Sequence, residues 1–247
     1  MKQQVMRRLF AGLAAVVFAA GVSPAASAQT IGELLAKNLQ SRGGLDRLKT
    51  VSTIKMVGKV TGGSQDMALT TWMKRPNLVR QEMSGGGLTV VQAFDGVRAW
   101  IVNPMMGSQA PAELPPAQAD QLKNNADFDG PLVDYEAKGH AIELLGPDTL
   151  DGSRVYKLKV TKKGGPSQIV YLDADSGLER KMTAQIVQQG GQTVTVDQVM
   201  SNYKVVSGLT VPFSIQTIVN GRLAMQVTVD TVEINTPIDD SVFRIKQ

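Results

Sequence analysis

The chain has 247 residues, no cysteine, one histidine, and 26 basic against 22 acidic residues. This composition excludes a disulfide scaffold, a cysteine nucleophile and a histidine-rich metal site. Three of the basic residues and none of the acidic ones precede Gln29, so residues 29–247 carry a formal charge of +1, which gives no argument for nucleic acid.

Lys2, Arg7 and Arg8 are followed by a largely apolar run from Leu9 to Val22, then by Ala26-Ser27-Ala28. A charged start, a short apolar stretch and a small-x-small end make a secretory signal peptide over residues 1–28, with cleavage expected after Ala28. The run is shorter than the ~20 apolar residues of a spanning helix. No cysteine follows it, which excludes lipid attachment there. The mature part, residues 29–247, is expected to be a soluble single domain large enough to bury one sizeable core.

Thr30-Ile31-Gly32-Glu33 reads as a capping box, and Ile31, Leu34, Leu35 and Leu39 follow at helical spacing until Gly43-Gly44 interrupts them. Leu45, Leu48 and Val51 predict one more short helical turn. A strand over Thr53 to Thr61 comes next, with Ile54, Met56 and Val60 on one face. In the strand after it, Met67, Leu69, Thr71 and Met73 point one way and Ala68, Thr70, Trp72 and Lys74 the other. Pro76 donates no backbone hydrogen bond and should end that strand. Segments Leu78 to Met83, Leu88 to Phe94 and Val97 to Val102 complete a meander, punctuated by Gly85-Gly86-Gly87 and Asp95-Gly96.

Met105 to Asp129 is rich in Pro, Ala, Gln and Asn and does not alternate. A segment of that kind within a compact domain reads as a flap, here a lid of short helices over residues 105–135. Pro115-Pro116 can open one helix through Leu122, and Asp129-Gly130-Pro131-Leu132-Val133 another. From Ala141 the chain is β again, in seven segments that end with a hairpin turning at Asn220-Gly221. About 11–12 antiparallel strands with few helices imply one wide, mainly β sheet that curls into an open, incomplete barrel.

Chemical motifs are scarce. His140 is the lone histidine. Asp127-Phe128-Asp129-Gly130 and Asp173-Ala174-Asp175-Ser176-Gly177 lack the spacing and terminal Glu of a calcium loop, so turn capping is the expected use of these aspartates. No phosphate-cradling glycine loop and no Gly-x-Ser-x-Gly motif occurs. No catalytic residue, metal or cofactor is expected, although a carboxylate pair assembled by folding would not be visible in sequence.

Trp72-x-Lys74-Arg75-Pro76-Asn77-Leu78, followed after one strand by Asp95-Gly96-x-x-x-Trp100-x-x-Asn103-Pro104, resembles the LolA-like outer-membrane lipoprotein-sorting proteins. The close match covers about Ala68 to Met106. The resemblance implies an open barrel covered by helices, whose apolar interior shelters the acyl chains of lipoproteins or lipids in the periplasm. It implies a monomeric, non-enzymatic carrier that meets an inner-membrane release complex and an outer-membrane acceptor. It gives Arg75 the task of holding the lid closed, and it places Leu69, Trp72, Met73, Leu78, Phe94, Trp100, Leu122 and Leu132 in the cavity wall or core. The family carries an aromatic residue, implicated in docking to the release complex, where this chain has Val79. The alternative within the same fold is a periplasmic sensor of lipidated or misfolded partners.

Overall fold

The computed structural model describes residues 29–63, 65–127, 129–187 and 191–245. The expected signal peptide, residues 1–28, lies outside them. Thr30 caps the first helix as its sequence predicts. Its hydroxyl accepts the Glu33 amide at 3.2 Å, and the Glu33 carboxylate accepts the Thr30 amide at 2.8 Å. The helix runs Ile31–Ser41 (α1), and a second short one covers Leu45–Thr50 (α2).

Thirteen strands follow: β1 Thr53–Thr61, β2 Met67–Lys74, β3 Leu78–Gly85, β4 Leu88–Phe94, β5 Ala99–Asn103, β6 Ser108–Glu113, β7 Ala141–Leu150, β8 Ser153–Thr161, β9 Ser167–Asp173, β10 Glu179–Val187, β11 Thr193–Val206, β12 Leu209–Val219 and β13 Arg222–Ile234. They form one antiparallel sheet in the order β6-β5-β4-β3-β2-β1-β13-β12-β11-β10-β9-β8-β7. The chain therefore winds outward from β1 to the edge strand β6, crosses to the other edge at β7, and winds back until β13 pairs with β1. The edges β6 and β7 do not pair with each other, so the barrel is open.

Two features differ from the sequence reading. Among the described residues the sheet has 13 strands rather than about 11–12, because Ser108–Glu113 inside the expected lid pairs with β5. The second expected lid helix, opened by Asp129 to Val133, is instead a run of turns over residues 131–139, held by bonds such as His140 N to Tyr135 O at 2.7 Å. Gly130 and Gly139 bound that run at positive φ. The remaining lid helix is Pro116–Asn125 (α3).

The sheet is strongly curled. α3 packs on Val79, Phe94 and Ala99 of β3–β5, while Gln121 and Asn124 of the same helix share a cavity with β10 and β11. Seven strand spacings separate β4 from β10, about 34 Å if the sheet were flat. A helix about 15 Å long and 10–12 Å across cannot bridge that width unless the sheet bends around it. Bulges assist the bend, among them the one at Val57/Gly58. A Cβ at Gly58 would lie 2.1 Å from the Thr228 carbonyl oxygen, so the close approach of β13 requires glycine there.

Antiparallel winding sends alternate turns to opposite rims. The β1–β2, β3–β4, β8–β9 and β12–β13 turns lie at one rim, here called the hairpin rim. The β2–β3, β4–β5, β9–β10 and β11–β12 turns lie at the other, where α1 and α2 enter β1; this is the helix rim.

Candidate functional site

The register defines the two faces of the sheet. Ile54, Met56 and Val60 of β1 pair with Met73, Thr71 and Met67 of β2, and Met73 and Leu69 pair with Val79 and Met83 of β3. Val79 pairs with Phe94, and Phe94 with Ala99. This is the face that α3 covers, so it is the inner one. The outer face carries polar pairs, including Lys55–Glu233 at 3.2 Å, Gln216 to Gln226 at 3.2 Å, and Thr183 with Asp197.

Three apolar clusters occupy parts of the inner space. Leu34 and Leu35 of α1 pack with Leu132 and with Leu158, Val160, Val170 and Leu172 of β8 and β9. Leu114, Ala119, Leu122 and Ala126 of the α3 region pack on Val79, Phe94 and Ala99, with Met73 at the margin. Leu48, Val51 and Leu209 form the third, smaller cluster beside α2. Between them, Met56, Val60, Leu69, Met83, Ile215 and Val227 are half-buried on the inner face and belong to none of the three.

Of the residues expected in the wall or core, Met73, Phe94 and Leu122 come together under α3, and Leu132 joins the cluster below α1. Leu69 lies on the inner face. Trp72, Leu78 and Trp100 belong to the outer parity and do not line the interior: Trp72 pairs with Lys55 and Arg80, Leu78 with Lys74, and Trp100 with Ala93. Trp100 is core of a different kind. It is 3 % exposed, its indole Nε1 donates to the Phe243 carbonyl at 3.0 Å, and the Arg80 guanidinium stands 5.6 Å from its ring centroid. The C-terminal segment thus seals the outer face over β3–β5. Val79 is 1 % exposed beneath α3.

Arg75 sits in the β2–β3 turn and ties three elements. Its Nε donates to the Val51 carbonyl at 2.6 Å and Nη2 to the Leu48 carbonyl at 3.0 Å, which satisfies the end of α2. Nη1 and Nη2 also meet the two carboxylate oxygens of Asp129 at 3.0 and 2.6 Å. This fork-on-fork geometry is the strong form of a charge-assisted pair. Asp129 is buried, and Lys49 stands 3.6 Å from it. Burial pushes the Asp129 pKa up, but the bonds and charge of Arg75, with Lys49 and Lys138, outweigh it and hold the carboxyl below the usual aspartate range. Arg42 adds a bond to the Asp129 carbonyl at 3.1 Å.

The aspartates of the two calcium-like sequences differ in use. Asp173 caps its turn, accepting the amides of Asp175 and Ser176 at 3.1 and 2.8 Å. Asp127 and Asp129 instead pair with Lys138 and Arg75. His140 accepts the Lys163 amide at 3.2 Å, a structural contact. No group of three or more metal-ligating side chains occurs among the described residues.

Between α3 and the inner faces of β9–β11 lies a cavity of about 100 Å³, bordered by Gln121, Asn124, Met182, Ala184, Val196 and Gln198. Sequence reasoning did not single out this space, because its walls come from strands more than forty residues beyond the helix that roofs it.

The sequence matches no protein-family model and no curated relative. Solved structures do match in fold. A DUF1329 family protein from Desulfovibrio piger aligns over 87 % of this chain and 97 % of its own, with a TM-score of 0.60 and 12 % identity. A LolA superfamily protein from Nitrosomonas europaea aligns over 88 % and 99 %, with a TM-score of 0.59 and 12 % identity. A putative outer membrane lipoprotein-sorting protein domain from Vibrio parahaemolyticus aligns over 85 % and 97 %, with a TM-score of 0.54 and 11 % identity. The fold of this chain is LolA-like.

Proposed function

We propose that residues 29–247 form a periplasmic carrier, exported by a cleavable signal peptide, that shelters the acyl chains of lipoproteins or lipids during transfer towards the outer membrane. The observation that carries this reading is the inner strip of Met56, Val60, Leu69, Met83, Ile215 and Val227. These residues form an apolar strip inside the curled sheet, beside the inner-facing pair Gln81 and Gln92, and the packed clusters leave them half-buried. The lipoprotein-sorting role named for the Vibrio parahaemolyticus domain agrees with it at the level of fold.

Magnitudes explain why such a carrier has a moving part. Each buried CH₂ contributes about 0.8 kcal/mol, so one long acyl chain gains on the order of 10 kcal/mol before ordering costs. The cavity of about 100 Å³ is well below the roughly 300–1,000 Å³ of small-molecule sites. Loading therefore displaces α3 from the β3–β5 face on which it packs, which widens the space beside the inner strip, and the tendency of α3 to return lowers apparent affinity and permits release. Arg75 and Asp129 fix the chain just beyond α3, which makes them the anchor against which the helix closes. Because Val79 is buried, a release complex or acceptor would engage another surface.

Mass spectrometry of an organic extract of the protein purified from the periplasm tests the reading. Long-chain acyl material in stoichiometric amount is the expected result. An extract free of acyl material, from protein that also fails to bind an acylated peptide or a phospholipid, would overturn it.

A further inference from the structure

One wall of the cavity under α3 is not apolar. Lys162, in the β8–β9 turn, lines it together with Ser167 and Gln168 of β9 and with Gln121 and Asn124 of α3. Lys162 is half-buried, and burial is the main influence on its ammonium group, drawing its pKa down. Among the described residues it has no ion-pair partner. Its nearest acidic influence, Asp127, is engaged by Lys138 at 2.7 and 2.8 Å. A cation withdrawn from water without a counter-ion is unfavourable unless an anion joins it, and Coulomb attraction strengthens as water is excluded. Across the same cavity stand Met182, Ala184 and Val196, with Gln198 paired to Met182, and Met200 beyond them pairs with Ile215 of the inner strip.

We infer that this corner is a headgroup subsite, and that the cargo is an anionic amphiphile: an acyl chain ending in a carboxylate or a phosphate. Lys162 supplies the charge, and Ser167 and Gln168 of β9 supply neutral donors beside it that stay in place when α3 moves. The chain runs from there over β10 and β11 into the inner strip. The inference rests on the acyl-carrier reading and narrows it, because the ester- and amide-linked end of an acylated lipoprotein presents no anion to Lys162.

The test compares binding of palmitate, hexadecyl phosphate and hexadecanol, which share a chain, to the purified protein at neutral pH. Inorganic phosphate serves as the head without the chain. Wild type should prefer the two anions over hexadecanol by about ten-fold or more. Lys162→Met should remove that preference while retaining hexadecanol affinity, and Lys162→Arg should restore it. Lys163→Met, which removes the same charge from the exposed neighbouring side chain, should leave the preference intact. A preference that survives Lys162→Met, one absent from wild type, or one equally lost in Lys163→Met would overturn the subsite while leaving the carrier reading standing. Inorganic phosphate binding as tightly as hexadecyl phosphate would overturn the amphiphile assignment. If wild type bound none of the three chains, the carrier reading itself would fail, and the subsite with it.

Discussion

The two rims of the barrel are built on opposite plans. At the helix rim, side chains bind main-chain oxygens across long sequence distances. Arg75 reaches the Leu48 and Val51 carbonyls, Arg47 the Gly208 carbonyl at 3.0 Å, Lys37 the Ala174 carbonyl at 2.7 Å, and buried Asn38 the Gly177 carbonyl at 2.9 Å. At the hairpin rim, by contrast, side chains bond within single hairpins, Thr161 with Ser167 at 2.9 Å and Ser84 with Thr89 at 2.8 Å, while exposed apolar residues occur at both rims, Leu88, Val187 and Leu223 here and Val97 and Val205 there. A barrel fastened at one rim can admit a chain at the other without losing its fold. Opening then costs the contacts of α3 rather than those of the sheet.

The largest expected effect breaks the fastened rim. Arg75→Leu removes the bonds to Val51 and Leu48 and leaves the Asp129 carboxylate buried without its main partner. Breaking a buried pair in this way costs about 3–5 kcal/mol, which in a domain of this size lowers Tm by roughly 10 °C. The folded fraction should still load an acylated peptide and release it more slowly, because its anchor for closure is gone. An unchanged or faster off-rate in a folded variant would separate Arg75 from the lid.

A somewhat smaller effect is expected at the α3 contact. Leu122, 2 % exposed, is the one large apolar residue that α3 itself places in its cluster. Leu122→Ala should cost about 2–4 kcal/mol of α3 docking in the cargo-free protein. On the proposed competition between the closed state and cargo, acyl affinity should rise by about ten-fold or more. Weakened acyl binding would make α3 part of the binding surface rather than its competitor.

Acid titration sharpens the contrast further. The Asp129 pKa is held below its unfolded value, so its stabilising contribution is fully present above about pH 4 and disappears as pH falls through the folded value. Asp129→Asn should be less stable than wild type by about 1–3 kcal/mol at pH 7. That gap should shrink as denaturation is repeated below about pH 4. A gap independent of pH would mean that shape, not charge, holds the Arg75 contact.

The smallest expected effect concerns tryptophan emission. Trp72 and Trp100 are the only tryptophans, and both face outward. Loading an acyl ligand should leave their emission maximum where it was. A clear shift would show that cargo deforms the sheet itself as well as moving its cover.

Most of this architecture can be read from local sequence. The capping box, Thr53–Thr61 as a strand, and the Asn220-Gly221 turn are set by residues a few positions apart. Strand β6 is not legible, because Ser-Gln-Ala-Pro-Ala-Glu neither alternates nor carries β-branched residues, and only pairing with β5 makes it a strand. The parity of Trp72 against Met73 was readable, but which parity faces inward depends on where α3 lies, and no spacing within β2 encodes that. Arg75 stood out by its motif. Its partner Asp129, 54 residues away, looked like a turn-capping residue until the crossing segment brought it to the β2–β3 turn. Lys162 gave no signal at all, since its place in the cavity wall exists only once α3 and β9–β11 are brought together.

The central claim is that cargo and α3 compete for the space inside the barrel while the helix rim holds. Hydrogen–deuterium exchange, with and without a saturating long-chain acyl ligand, tests this most directly. The account predicts that α3 amides over Pro116–Asn125 lose protection on loading, while those of β1 and β13 keep theirs. Unchanged or increased protection of α3 with ligand demonstrably bound would contradict it.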